Sequence, residues 1–148
     1  MALGCSIAAS AQLQVARLET ATSRFKQIRT STMLQAPETR IGTFEYVAPN
    51  QIKWIYDGYE NLQLPEQMLG LICQAVSGNT EDLNDMFLTE WEEQTLTMTP
   101  RKKQMKRFFS LIQIIFSSDG VAHQVILTEP SGDVTAIEFI NIRYTKKK

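Results

Sequence analysis

Gly42-Thr-Phe-Glu-Tyr-Val-Ala-Pro-Asn-Gln-Ile-Lys-Trp-Ile-Tyr56 is the stretch whose reading decides the fold. Phe44 and Tyr46 share one face of a strand, and Ile52, Trp54 and Tyr56 share one face of the next. Ala48-Pro49-Asn50 separates the two runs with turn chemistry. Period-2 placement of aromatic and branched residues on both sides of a turn predicts a hairpin of long strands. The run from Leu96 to Asn141 reads the same way, and neither stretch holds a plausible catalytic set. So much apolar side chain on a sheet must be covered by helices, a partner or a ligand.

Working outward, the segment before the hairpin carries Val15, Leu18, Phe25 and Ile28 at near-helical spacing, which predicts an amphipathic helix over Gln12–Thr22. Phe25–Leu34 is β-branched and predicts a first strand; Ala36-Pro-Glu-Thr39 is a turn, and Arg40–Val47 and Gln51–Tyr56 are the second and third strands. Beyond the hairpin, Leu64-Pro65-Glu66 opens a helix with a stripe of Leu64, Met68, Leu71, Ile72 and Ala75, closed by Ser77-Gly78-Asn79. Thr80-Glu-Asp-Leu83 adds a turn of helix. Phe87–Trp91 and Gln94–Thr99 pair around Glu92-Glu93. Phe108–Phe116, His123–Glu129 and Val134–Arg143 are three more strands, joined by Ser118-Asp-Gly120 and Pro130-Ser-Gly-Asp133. Pro130 takes position i+1 and Gly132 position i+3 of the last turn. In the strand from Phe108, alternation turns Phe108, Ile112, Ile114 and Phe116 inward and Phe109, Leu111 and Ile115 outward; Ile137 and Phe139 face together. The fold class is α+β: an open, curved antiparallel sheet of hairpins with helices on one face.

A chain of 148 residues suits one domain. A formal charge of −1 gives no general attraction for nucleic acid or anionic lipid. Residues 1–11 resemble the tail of a secretory leader, with Ala9-Ser10-Ala11 as an A-x-A cleavage pattern and Gln12 as mature start. Leu3-Gly4-Cys5 is loosely of lipobox form. Cleavage after Ala11 leaves Cys73 as the only cysteine and no intramolecular disulfide. No run approaches the ~20 apolar residues of a membrane span. These features predict an exported, soluble product: residues 12–145 as the domain and 146–148 as a frayed basic tail.

Catalysis has little support. His123, the only histidine, has no nearby nucleophile, and neither it nor Cys73 sits in a metal-ligand spacing. Glu90, Glu92 and Glu93 read as a solvated hairpin tip, and Ser131-Gly-Asp133 as turn chemistry. Arg101, Lys102, Lys103, Lys106 and Arg107 place five positive charges in seven residues. That run suits a solvated turn, or a docking patch for anionic headgroups or an acidic protein surface.

The order of motifs resembles the LolA family of periplasmic lipoprotein carriers. The matching residues are Phe25-x-Gln27, Gly42-x-Phe44-x-Tyr46, Ala48-Pro49-Asn50, Trp54-x-Tyr56, Leu96-Thr-Met-Thr-Pro-Arg-Lys-Lys-Gln-Met-Lys-Arg107 and Glu129-Pro-Ser-Gly-Asp-Val-Thr135. The likeness spans most of residues 12 to 145, and the second half looks like the branch with a T-P-[KR]-K-K segment. It implies a half-barrel whose concave apolar face is covered by helices acting as a lid, with no enzyme activity and no cofactor. The implied task is to receive acylated lipoproteins from an inner-membrane releasing transporter and pass them, as a monomer, to an outer-membrane acceptor. The expected lining of such a cavity is Phe44, Tyr46, Ile52, Trp54 and Tyr56 from the first hairpin, and Met68, Leu71 and Ile72 from the helix. Phe108, Ile112, Ile114, Phe116, Ile137 and Phe139 complete it.

Two departures stand out. Where the family's best-known branch has a lid-holding arginine, this chain has Ala48, so no lid-locking residue is carried over. The family also has strands between the Trp-x-Tyr strand and the helix, whereas only Asp57-Gly-Tyr-Glu-Asn61 follows Tyr56 before the Leu62 region. Omitted residues are the favoured explanation, a smaller sheet the other. The rival functions are a carrier of other lipids or hydrophobic precursors, and an interaction domain whose sheet is filled by its own helices.

Overall fold

The computed structural model describes residues 13–59 and 61–148. The leader-like segment 1–11 lies outside the described residues.

The described residues form a curved, unclosed sheet of eight antiparallel strands. The strands are β1 (Leu18–Thr30), β2 (Glu38–Val47), β3 (Gln51–Tyr56), β4 (Phe87–Glu92), β5 (Thr95–Pro100), β6 (Leu111–Phe116), β7 (Ala122–Thr128) and β8 (Val134–Lys146). Helix α1 (Glu66–Ser77) and a 3₁₀ turn (Glu81–Asp85) lie between β3 and β4, and the one-turn α2 (Lys103–Lys106) between β5 and β6. Spatial order is β3-β2-β1-β8-β7-β6-β5-β4, so two meanders are sewn together where the first strand meets the last. That seam runs from Leu18 opposite Lys146 to Thr30 opposite Val134.

The segment expected to begin with a helix is strand from Leu18 onward. Ala21, Ser23, Phe25 and Gln27 are buried while the residues between them are exposed, a strict period of two. Thr20 and Thr22 favour the extended chain. The helical reading arose because Leu18, Phe25 and Ile28 also fall at multiples near 3.6.

The hairpin β2–β3 forms as expected, with Phe44 opposite Trp54 and Tyr46 opposite Ile52. The Pro130 turn closes with the Gly132 N–H donating to the Glu129 carbonyl at 2.9 Å. Between β3 and α1 the chain turns tightly: Asp57 N–H donates to Ile41 O at 2.9 Å and Leu62 N–H to Tyr59 O at 3.0 Å. In this sequence the sheet carries no further strand between β3 and α1 among the described residues.

α1 packs against β1, β2, β3 and β7 and buries Leu71, Ile72, Cys73, Ala75 and Val76. Pro65 caps its start, and Gly78 ends it at φ 80°. A side chain there would meet the Ala16 carbonyl oxygen 1.9 Å away, so the position takes glycine.

Two further expectations change. The strand assigned from Phe108 begins only at Leu111, because α2 turns the chain first. Phe109 is then buried at 3% exposure and Phe108 lies outward at 36%, the reverse of the assigned faces for that pair. The tail is tied rather than frayed: Lys146 belongs to β8, and Lys147 N–H donates to Arg17 O at 2.8 Å.

Candidate functional site

The sheet's inner face is built around stacked aromatics. The Phe25 ring lies 3.9 Å from that of Trp54 and meets Tyr56 edge-on at 5.5 Å; Phe44 packs on Phe139 at 5.0 Å. Gly42 makes this possible. It sits opposite Phe25, and a Cβ there would fall 2.6 Å from a ring carbon and 2.1 Å from the Ile55 carbonyl oxygen. In the second meander, Phe116 packs on Trp91 at 5.4 Å.

Most residues expected to line a cavity are packed core. Phe44, Tyr46, Leu71, Ile72, Ile112, Ile114, Phe116, Ile137 and Phe139 are all buried, and Ile52 and Trp54 are half-buried against them. Tyr56, Met68 and Phe108 line a hollow of about 360 Å³ at the end of the sheet where α1 begins. That volume lies at the low end of the ~300–1,000 Å³ usual for small-molecule sites.

The hollow has two unlike walls. Leu62, Leu64, Pro65, Met68, Phe108 and Phe109 make an apolar wall from the approach to α1 and the segment before β6. Gln27, Arg29, Arg40 and Thr135 from the strands, Glu129 just after β7 and Gln63 before α1 make the polar one. The inward column of β1 changes along its length, from Ala21 through Ser23 and Phe25 to Gln27 and Arg29. The Tyr56 hydroxyl donates to Gln27 Oε1 at 2.7 Å, and burial raises the Tyr56 pKa. Arg29 is held by Asp133 at 2.8 Å, with Glu129 at 3.7 Å. Arg40 meets Glu38 at 3.5 Å and lies over the Tyr59 ring at 5.1 Å.

Gln27, Arg29, Arg40 and Thr135 were not among the expected site residues. Continuing the inward column of each strand past its last aromatic would have found them. A smaller apolar groove of about 260 Å³ runs between α1 and the β4 side, lined by Leu71, Leu83, Met86, Phe87 and Met105.

The basic run is a short helix with flanks rather than a plain turn. Arg101 is anchored, its Nε donating to the carbonyls of Asn84 and Phe87 at 3.1 Å each. Lys102, Lys103, Lys106 and Arg107 are exposed on and beside α2. Among the described residues, none of the five forms an ion pair and no group of three or more His, Cys, Asp and Glu could hold a metal ion. His123 lies in β7 with its Nδ1 buried and unpaired. Cys73 is buried on α1, which pushes its thiol pKa up. No helix of the described residues is long and apolar enough to cross a membrane.

No protein-family model and no curated protein sequence matches the chain. Solved structures match it loosely. A DUF1329 family protein from Desulfovibrio piger is 12% identical over 86% of each chain, with a TM-score of 0.44. A provisionally named outer membrane lipoprotein-sorting protein domain from Vibrio parahaemolyticus is 10% identical over 95% of this chain and 90% of its own, at 0.39. A LolA superfamily protein from Nitrosomonas europaea is 7% identical over 97% of this chain and 94% of its own, at 0.41. Likeness of that degree carries no conclusion about what this chain binds.

Proposed function

We propose that this protein is a non-enzymatic carrier that shields the acyl chains of lipid-modified proteins in the periplasm. It would take them from an inner-membrane transporter and give them up to an outer-membrane acceptor. The observation that carries the reading is the apolar-walled hollow at the start of α1, next to a helix held on the sheet by an apolar stripe. The motif order described above supports it from the sequence side.

The energetics fit an exchange. Lifting α1 would expose Leu64, Leu71, Ile72 and Val76, at roughly 1.5–3 kcal/mol each and about 6–12 kcal/mol together. A saturated chain of about a dozen methylenes taking their place would return ~10 kcal/mol, at ~0.8 kcal/mol per methylene. A near-balanced swap lets hydrocarbon enter and leave again, as a carrier requires. On this view α1 is a lid over the concave face: core when the protein is empty, lining when it is loaded. The exposed lysines around α2 would serve as a docking patch for anionic headgroups or an acidic partner surface.

A fluorescent fatty acid titrated into the full chain tests this. Saturable binding is expected, weakened at least tenfold by Met68→Asp and by Phe108→Asp, both at partly exposed positions where folding should survive. Folded wild-type protein that takes up no probe would overturn the proposal. It would instead favour an interaction domain with a self-filled sheet, a reading supported by the complete burial of Phe44, Ile72 and Ile112.

A further inference from the structure

The polar wall of the hollow has a specific composition. Gln27 and Arg40 stand directly opposite each other on β1 and β2, and Arg29 and Thr135 on β1 and β8. All four lie on inward columns that are aromatic or aliphatic further along: Phe25 on β1, Phe44 on β2, Ile137 on β8. Among the described residues the buried side-chain atoms left without a partner are Trp54 Nε1 and His123 Nδ1, whereas polar groups on such a column can find partners in the hollow they border.

Their partners are incomplete. Gln27 is 8% exposed, and its Oε1 accepts from Tyr56, which leaves Nε2 as a donor without a hydrogen bond among the described residues. Thr135 is 3% exposed, and its hydroxyl likewise makes no hydrogen bond among the described residues. Both side chains border the hollow. Arg40 borders it too; among the described residues its one ion pair is with Glu38, itself half-exposed, at 3.5 Å, and it lies over the Tyr59 ring at 5.1 Å. Glu129, the acceptor on this wall, is engaged by Arg29 at 3.7 Å, and Arg29 is further neutralised by Asp133. On this wall the donors that face the hollow are the Gln27 amide, the Thr135 hydroxyl and the Arg40 guanidinium, while Gln63 and Glu129 add acceptors beside them.

We infer that this wall seats the oxygen-bearing head of an acyl ligand, a carboxylate or an ester carbonyl, on Gln27 Nε2, the Thr135 hydroxyl and the Arg40 guanidinium. The hydrocarbon then lies against Leu64, Met68 and Phe109. The inference rests on the carrier reading and deepens it. The hollow recognises the oxygen-bearing end of the acyl group as well as its hydrocarbon, and the ligand enters head toward the strands.

The test is competition against a naphthylamine dye bound to the full chain, using laurate, methyl laurate and dodecane. Laurate and methyl laurate should compete about tenfold better than dodecane, the worth of one or two hydrogen bonds to the head. Thr135→Val keeps the shape and removes the hydroxyl; Gln27→Met removes the amide. Each should weaken both oxygen-bearing competitors about fivefold and leave dodecane unchanged, in variants whose thermal melts stay cooperative. Arg40→Met separates the two sources of the head. Loss confined to laurate identifies a free fatty acid as the fitting ligand; equal behaviour of acid and ester identifies an esterified acyl group. Equal competition by all three compounds, or Thr135→Val leaving their ranking untouched, overturns the head-binding site and leaves the carrier intact. A protein that binds neither dye nor competitor removes both.

Discussion

If α1 is a lid, it carries its own reporter. Cys73 sits on its buried side at 8% exposure, and burial raises the thiol pKa, so alkylation should be slow while the helix is seated. Ile72, beside it in sequence, is 0% exposed. Ile72→Ala removes buried side chain at about 2–5 kcal/mol. A loss of about 3 kcal/mol from the seated state should speed alkylation roughly a hundredfold. Faster alkylation alone would not separate lid opening from global unfolding. Ile114→Val supplies the control, because β6 is not among the strands that α1 chiefly packs against, and it should cost about 1 kcal/mol of global stability. The assay is maleimide labelling of native protein followed by mass, alongside urea unfolding of each variant. Lid opening predicts that Ile114→Val labels at the wild-type rate while Ile72→Ala labels far faster. If the labelling of both variants simply tracks their urea stabilities, Cys73 is reached only when the whole fold opens, and the movable-helix reasoning is refuted.

Gly42→Ala should destabilise by about 2–3 kcal/mol, because its Cβ meets a backbone oxygen at 2.1 Å as well as the Phe25 ring. Urea midpoints would record the drop, and Gly70→Ala, with open space around it on α1, should raise stability by about 0.5–1 kcal/mol instead. The Asp57 carboxylate is held by Arg24 at 2.6 Å, and that of Asp119 by the Ser117 and Tyr144 hydroxyls, so both pKa values lie below the ordinary carboxylate value. Their stabilisation is complete above about pH 4 and lost as pH falls through the depressed values, so Asp57→Asn and Asp119→Asn should flatten the acid limb of a melting-temperature profile. Binding to anionic vesicles, if the α2 patch docks there, should weaken between 0.05 and ~0.5 M salt and fall further in a Lys103→Glu, Lys106→Glu variant, read by co-sedimentation.

The first hairpin was legible because aromatic residues mark its inward columns: Phe44 and Tyr46 on β2, Trp54 and Tyr56 on β3. β1 was half hidden. Several of its inward positions hold small or polar residues, Ala21, Ser23 and Gln27, so the apolar pattern of Val15, Leu18, Phe25 and Ile28 fitted a helix over Gln12–Thr22. Phe108 and Phe109 could not be told apart, since alternation gives no phase at a strand's start and α2 shifts it by one residue. The hollow's polar wall was the least legible part. Only the registers that set Gln27 against Arg40 and Arg29 against Thr135 bring these residues together on the inner side.

The joining of β1 to β8 has a consequence for how the protein comes into being. The Thr20 and Thr145 hydroxyls meet at 2.7 Å across 125 positions of chain, so the earliest strand to be made waits for the latest. Until then it presents a bare hydrogen-bonding edge and a greasy surface, the combination most prone to aggregation. High contact order of this kind makes maturation slow and all-or-none. A nascent copy would need holding until β8 is made, and loss of the Val134–Lys146 strand should cost the entire fold rather than one edge of it.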